Sequence, residues 1–326
     1  MIDITISDIE DAALRLEKLV VRTPLHEANF GLSSYGRVFL KLETNQVTGS
    51  FKFRGAYNMI SQLDEASLRA GVVAYSSGNH AQAVACVAKI LGTKAVIVMP
   101  SDAPKKKLEA TKGYDAEVIV YDRWKESREE IAIQVVNERN MTLVPPFDNP
   151  MVISGQGTAG LEIVQDLNTL NIKPDLVLVP ASGGGLVSGV SIAIKNAFPN
   201  CAIFCVEPEH FDDIRLSLSN GERLTNQAPK QNSICDALLV PTPGELTFEI
   251  MRKFVEGGLT VTDEAVIRAM RRCWLENRII LEPGGAVAVA AIIEKIAPKA
   301  AVTVALCSGG NIDEENFKRL IKGAKS

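Results

Sequence analysis

The chain is short of histidine, has no paired cysteines and lacks a strong charge of either sign. Its three histidines, His26, His80 and His210, are scattered, and its six cysteines, at 86, 201, 205, 235, 273 and 307, form no CxxC. No His/Cys spacing matches a zinc site, and the cysteines read as reduced core thiols of a cytoplasmic protein. There is no GxSxG and no HExxH, so hydrolase and zincin readings lose their support. A formal net charge of −4 and a pI near 5.6 argue against nucleic acid as a partner, which demands a basic face. No apolar run reaches membrane-spanning length, so no membrane is expected. Met1-Ile2-Asp3-Ile4-Thr5 lacks a basic segment followed by an apolar one, so no signal peptide is expected. Low-complexity tracts and fixed-period repeats are missing too.

What is present is enough chain for a large core. The 326 residues are 46% hydrophobic and 23% charged, the composition of a soluble globular protein with one large domain or two lobes. Residues 7–21 have helical spacing, with Ser7 placed to cap them. Residues 38–43 read as a strand and 51–63 as a helix. Strand-like and helical segments then alternate: strands at 72–76, 94–99, 116–121 and 142–144, helices at 81–91, 104–112 and 124–140. Pro145–Pro150 breaks the series. A helix at 157–170, a strand at 176–180, a helix at 187–197 and a strand at 201–206 follow. The stretch 218–245 reads as irregular. Helices at 245–256, 263–278 and 285–296 lead to a last strand at 302–307. Repeated strand–turn–helix units predict parallel sheets with right-handed crossovers. The expected fold is α/β, with two open, twisted, mostly parallel lobes. A small domain of 70–145 is inserted in a large one of 1–69 and 146–326.

Ligands in such folds gather beyond the carboxyl ends of strands; turns at 76–80, 182–186, 207–213 and 308–311 lie there, and with the Lys52 turn they carry the chemistry. Ser50-Phe51-Lys52-Phe53-Arg54-Gly55-Ala56 sets a lysine at the start of a helix between two aromatic rings. It is either a solvated cation or a desolvated amine of lowered pKa that attacks carbonyls. Ser182-Gly183-Gly184-Gly185-Leu186 joins a buried strand to a helix. It is either a tight turn or a cradle whose backbone N–H groups grip a phosphate. Ser308-Gly309-Gly310-Asn311 ends the last strand, as a helix cap or as a hydroxyl facing a heteroaromatic nitrogen. Ser76-Ser77-Gly78-Asn79-His80 is either a capped turn or a carboxylate-binding loop. A fifth stretch, Glu207-Pro208-Glu209-His210-Phe211-Asp212-Asp213, is either a solvated acidic loop or a hard-cation site. That site would use Glu207, Asp213 and a backbone carbonyl.

Taken in order and spacing, these segments resemble the fold-type II pyridoxal-phosphate enzymes, the serine/threonine dehydratase and serine racemase family, over nearly the whole chain. The resemblance implies pyridoxal 5'-phosphate joined to Lys52, which then serves as the base at Cα. It implies Phe51 packed on the pyridine ring, Asn79 on its phenolic oxygen and Ser308 at the ring nitrogen. The backbone of Gly183, Gly184, Gly185 and Leu186 would hold the phosphate. Ser76, Ser77, Asn79 and His80 would take the carboxylate of a small amino-acid substrate, with Arg128 close by. Ser77 would also be the second base of a racemase, on the face opposite Lys52. Glu207, the Phe211 carbonyl and Asp213 would hold a divalent cation, Mg²⁺, Mn²⁺ or Ca²⁺. A homodimer is expected from the family as well.

Two stretches depart from the family pattern. Cys235-Asp236-Ala237 stands where racemases of the family have Ala-Asp-Gly, and the order after Glu282 in Leu281-Glu282-Pro283-Gly284-Gly285-Ala286 is unusual. Both bear on the pocket and hence on the substrate. The expected activity is β-elimination, dehydration followed by deamination, that turns serine, threonine or 3-hydroxyaspartate into a 2-oxo acid and ammonia. The alternatives are a racemase with side elimination and a non-catalytic binder of phosphorylated metabolites.

Overall fold

The computed structural model describes residues 4–32, 35–76, 78–103, 105–122, 124–226 and 232–323. Ser77, assigned above to the substrate carboxylate and to the second base, lies outside the described residues. The described strands form two sheets. β1 (Leu25–Ala28), β2 (Arg37–Leu42), β7 (Leu176–Pro180), β8 (Ala202–Pro208), β9 (Gly257–Val261) and β10 (Val302–Cys307) make a six-stranded sheet in the order β1-β2-β10-β7-β8-β9. β3 (Val72–Tyr75), β4 (Ala95–Pro100), β5 (Glu117–Tyr121) and β6 (Thr142–Leu143) make a four-stranded sheet in the order β5-β4-β3-β6. All neighbours are parallel except the pair β1 and β2. The expected α/β architecture of two mostly parallel lobes is what the chain adopts.

Both faces of the large sheet are covered, as parallel strands require. Val177 and Val179 join Phe39, Val304 and Leu306 in one core with the helix Gly185–Ala197, while Leu176 and Leu178 join Leu40 and Ala305 in another. That second core holds the helix Pro283–Ile293, whose alanines, glycines and valines are buried on all sides. The small sheet shares its core with the helices Asn79–Leu91 and Lys52–Ile60, through Phe53, Ala56, Met59 and Ile60.

Several boundaries differ from the sequence reading. The first helix spans Ile6–Leu16, not 7–21. Thr5, not Ser7, precedes it, and both the Thr5 N–H and hydroxyl donate to Asp8 Oδ2 at 2.8 Å. Leu19 and Val20 prolong the apolar period because they pack on the small-lobe core after the helix has ended. The helix expected at 157–170 starts at Pro150, with Asn149 capping the Met151 and Val152 N–H groups, the usual place for proline. Gly155 lies in the unread part, and Gly157 and Gly160 in the part that was read. A Cβ on Gly155 would lie 2.7 Å from the Arg54 carbonyl oxygen, and one on Gly157 2.6 Å from Ile9. Close helix crossing, not helix breaking, explains these glycines. β1, β9 and the helices Glu65–Ala70, Asp213–Asn220 and Glu314–Gly323 went unread. The helix Asp213–Asn220 and a 3-10 turn at Asp236–Leu238 also order part of the stretch expected to be irregular.

A charge cluster fastens the Lys52 helix to the large lobe. Arg54 is fully buried, and it donates to both oxygens of Glu43 at 2.8 Å and to both of Glu162 at 2.7 and 2.9 Å. Lys41 Nζ donates to Glu162 Oε2 at 2.6 Å and to the Thr23 carbonyl at 2.7 Å. Burial pulls against charge on Arg54, but Glu43 and Glu162 outweigh it and hold the guanidinium protonated. Removing one partner from such a cluster strands its counter-charges in the core. Arg54→Met should therefore destabilise the protein by about 3–5 kcal/mol in urea unfolding. Adding Glu43→Gln to that variant should restore part of the loss.

Candidate active site

β2 delivers the chain to Lys52 through a 3-10 turn at Glu43–Asn45 and a reversal at Gly49, whose φ is +71°. Ser50 bridges to Gly309, and the Phe51 N–H donates to the Ser308 carbonyl at 3.1 Å. The lysine turn is thereby stitched to the end of β10. Lys52 Nζ donates to the Pro146 carbonyl at 2.6 Å and lies 5.1 Å from the centroid of the Phe51 ring. Burial pulls its pKa from 10.5 to about 8. Of the two readings of Lys52, this environment is that of the desolvated amine.

The glycine turn follows β7. The helix Gly185–Ala197 begins without a side-chain cap, and its N-cap residue is Gly184 at φ +97°. A Cβ on Gly183 would stand 2.2 Å from the Phe147 ring, and one on Gly184 2.8 Å from Thr247 and Met251. Bare backbone with uncapped helical N–H groups is the chemistry of an anion cradle.

Asn79 opens the helix Asn79–Leu91, which also lacks a side-chain cap. Its Nδ2 donates to Glu282 Oε1 at 2.5 Å, and its Oδ1 accepts from Asn311 Nδ2 at 2.8 Å. His80 is buried, with Nε2 2.9 Å from the Val144 carbonyl and Nδ1 unpartnered among the described residues. Burial, then Lys52, push its pKa down to about 3. The ring is neutral. Bonding to a carbonyl puts the proton on Nε2, so Nδ1 is an acceptor. Ser76 Oγ accepts from the Gly78 N–H at 3.1 Å. Arg128 is half-buried, 5.4 Å from the Tyr75 ring centroid, and bonds Glu129 at 2.8 Å.

Phe51, Lys52, Ser76, Asn79, His80, Arg128, the turn Gly183–Leu186 and Ser308 all line one cavity of about 200 Å³. It lies off the carboxyl ends of β3, β7 and β10. The same wall carries residues that the sequence reading gave no role: Tyr75, Lys107, Phe147 and Asp236. Lys107 Nζ lies 2.5 Å from Asp236 Oδ2. Behind this wall a larger hollow of about 450 Å³ shares Lys107 and Asp236 and adds Glu282, but the lysine and the glycine turn face the smaller one. Glu282 is buried and one oxygen is unpartnered among the described residues. Burial raises its pKa to about 7. Its one sequence signal was a lone acid before Pro283.

Glu207, Phe211 and Asp213 sit apart from the cavity, at the carboxyl end of β8. Glu207 is fully buried and accepts from the Ile214 and Arg215 N–H groups at 3.0 and 2.8 Å. Asp213 is fully buried too, and its Oδ2 has no partner among the described residues. Burial, then the neighbouring Asp213, push Glu207 well above the usual carboxylate range; burial raises Asp213 to about 7. No group of three or more His, Cys, Asp or Glu occurs as a metal cluster among the described residues. This candidate has two such side chains plus a carbonyl.

Residues 16–309 match the model of the pyridoxal-phosphate dependent enzymes. The chain belongs to that family. It is 40% identical over 321 residues to the serine racemase of Schizosaccharomyces pombe, covering 97% of each chain. It is 38% identical over 328 residues to the L-threo-3-hydroxyaspartate ammonia-lyase of Saccharomyces cerevisiae, covering 99% of this chain and 98% of that one. The solved structure of maize serine racemase superposes with a TM-score of 0.90 at 35% identity, over 98% of this chain and 97% of that one. The residues present fit a phosphorylated aldehyde, with an amine of lowered pKa and a glycine turn closed to side chains lining one cavity.

The amine's acidity can be measured directly. In the cofactor-free protein, acylation of Lys52 by an amine-directed reagent, followed by peptide mass spectrometry, should rise with pH through about 8. A profile centred near 10.5 would mean that the side chain is solvated.

Proposed function

We propose that the protein catalyses β-elimination from a β-hydroxy amino acid (serine, threonine or 3-hydroxyaspartate), yielding a 2-oxo acid and ammonia. The observation that carries this reading is the desolvated Lys52 amine sharing one cavity with the Gly183–Leu186 cradle. When bound, pyridoxal 5'-phosphate draws electrons from the substrate Cα and so makes its proton removable. Lys52, whose lowered pKa puts about a tenth of it in the free-amine form at pH 7, takes that proton. The bond from Cβ to oxygen breaks and the hydroxyl departs with a proton as water. Hydrolysis of the released enamine consumes one water and gives the 2-oxo acid and ammonia.

Phe51 supports the face of the pyridine ring. Asn79 meets its phenolic oxygen and is aimed by Glu282 and Asn311. Ser308 would face the ring nitrogen as a neutral partner, offering it no counter-charge to hold a proton and so favouring prompt elimination. Ser76, Ser77 and Asn79 hold the substrate carboxylate at the uncapped end of the helix Asn79–Leu91. His80 joins them through its backbone N–H, since its ring offers an acceptor rather than a donor to an anion. Arg128 supplies a cation on the same wall. The two separate sheets support a large cofactor-binding domain of 1–69 and 146–326 with a small domain of 70–145 inserted. A homodimer and a cytoplasmic location complete the reading. A serine racemase with side elimination is the second reading, supported by the likeness to the Schizosaccharomyces pombe enzyme, with Ser77 as the second base.

Glu207, the Phe211 carbonyl and Asp213 hold a divalent cation, Mg²⁺, Mn²⁺ or Ca²⁺. The support is chemical: two buried acids repel each other and one oxygen lacks a partner, and a hard cation resolves both.

Lys52→Ala should abolish 2-oxo acid release and the visible absorbance of the bound cofactor. A panel of both enantiomers of serine, threonine and 3-hydroxyaspartate, read by keto-acid formation and chiral chromatography, identifies the substrate. Appearance of the opposite enantiomer, lost in Ser77→Ala, would select the racemase. Chelation should lower the thermal midpoint, and Mg²⁺ or Mn²⁺ should restore it. Because protons compete for Asp213, cation affinity should strengthen as pH rises through about 7. Asp213→Asn should remove the response to chelator; a response that persists would place the cation elsewhere.

A further inference from the structure

The segment Val144–Asn149, which overlaps the break read from sequence at Pro145–Pro150, touches several parts of the cavity wall. The Val144 carbonyl lies 2.9 Å from His80 Nε2, the Pro146 carbonyl accepts from Lys52 Nζ at 2.6 Å, and the Phe147 ring packs on Gly183. Asp148 reaches further, to the helix Glu245–Phe254. That helix has Gly244 as its N-cap residue, with no side chain to offer. Asp148 does the capping from outside: Oδ2 accepts from the Glu245 N–H at 3.0 Å and Oδ1 from the Thr247 N–H at 3.1 Å. A Cβ on Gly244 would lie 2.2 Å from Asp148 Oδ1, so the glycine is what admits the carboxylate.

Thr247 is fully buried and turns its other groups to the glycine turn. Its hydroxyl donates to the Gly183 carbonyl at 2.7 Å, and the Gly244 N–H donates to the same oxygen at 3.2 Å. The Thr247 carbonyl accepts from Ser188 Oγ at 3.1 Å, on the helix that follows the turn. A trans peptide holds its C=O and the next N–H antiparallel. With the Gly183 carbonyl tied to Thr247, the Gly184 N–H must point the opposite way. Glycines on both sides of a peptide leave it otherwise free to turn over, because neither presents a Cβ to resist.

We propose that Asp148 and Thr247 are positioning residues that fix the Gly183–Gly184 peptide with its N–H turned to the cofactor phosphate. The inference rests on the reading of Gly183–Leu186 as the phosphate cradle. Asp148 aims Thr247 by capping its helix, and Thr247 aims the peptide.

The test is equilibrium binding of pyridoxal 5'-phosphate and of pyridoxal, which lacks the phosphate, to the full chain stripped of cofactor. Thr247→Val keeps the shape and deletes the hydroxyl; Thr247→Ser restores it. Thr247→Val should lose tenfold or more in affinity for pyridoxal 5'-phosphate and stay within twofold for pyridoxal, with Thr247→Ser near the parent. If Thr247→Val fails to fold, Asp148→Asn, which keeps the size of the side chain, should show the same selective loss. Equal loss for both aldehydes, or no loss, overturns the inference. A parent protein that binds the two aldehydes equally overturns the cradle reading itself, and the positioning role with it.

Discussion

The hydrogen bond from Lys52 Nζ to the Pro146 carbonyl sets the terms for the rest of the site. A neutral carbonyl stabilises the ammonium form far less than a carboxylate would, so burial is left to lower the pKa. A carboxylate in that place would have held the lysine protonated and inert as a nucleophile. The chain keeps its acids elsewhere: Glu282 bonds Asn79, Asp236 pairs with Lys107, and Glu43 and Glu162 are occupied by Arg54 and Lys41. His80 keeps the same discipline, because a neutral imidazole beside Lys52 neither attracts nor repels a proton strongly.

Much of this was legible in the sequence because it rests on short-range chemistry. A lysine between two phenylalanines, three consecutive glycines after Leu176–Pro180 and a serine at the end of the last strand are local signals. All three reach one cavity. The alternation of strands and helices gave the parallel sheets for the same reason. What stayed hidden depends on partners far along the chain. The first turns of the helix Pro150–Thr169 went unread, and what packs there is remote in sequence: Gly155 is crowded by the Arg54 backbone and Gly157 by the Ile9 side chain. β9 carries two glycines, Gly257 and Gly258, and becomes a strand by pairing with β8. Asp148 looked like part of a proline-rich turn, since the helix it caps starts nearly a hundred residues later.

The acidic loop after β8 shows the two levels in one place. Its residue types suggested a cation site, and the fold adds that Glu207 and Asp213 are buried and that one carboxylate oxygen lacks a partner among the described residues. Neither burial nor an orphaned oxygen can be read from Glu-Pro-Glu-His-Phe-Asp-Asp, which in isolation is as well suited to solvent.

The helix Lys52–Ile60 has its apolar residues in the core of one lobe and its arginine bolted into the other. It behaves as a shared axle. Rotation of one lobe against the other would have to shear either a packed aromatic–aliphatic contact or a four-charge lock, and both lie within two turns of Lys52. The amine is thus held to two frames at once, because the helix that carries it is anchored in both lobes.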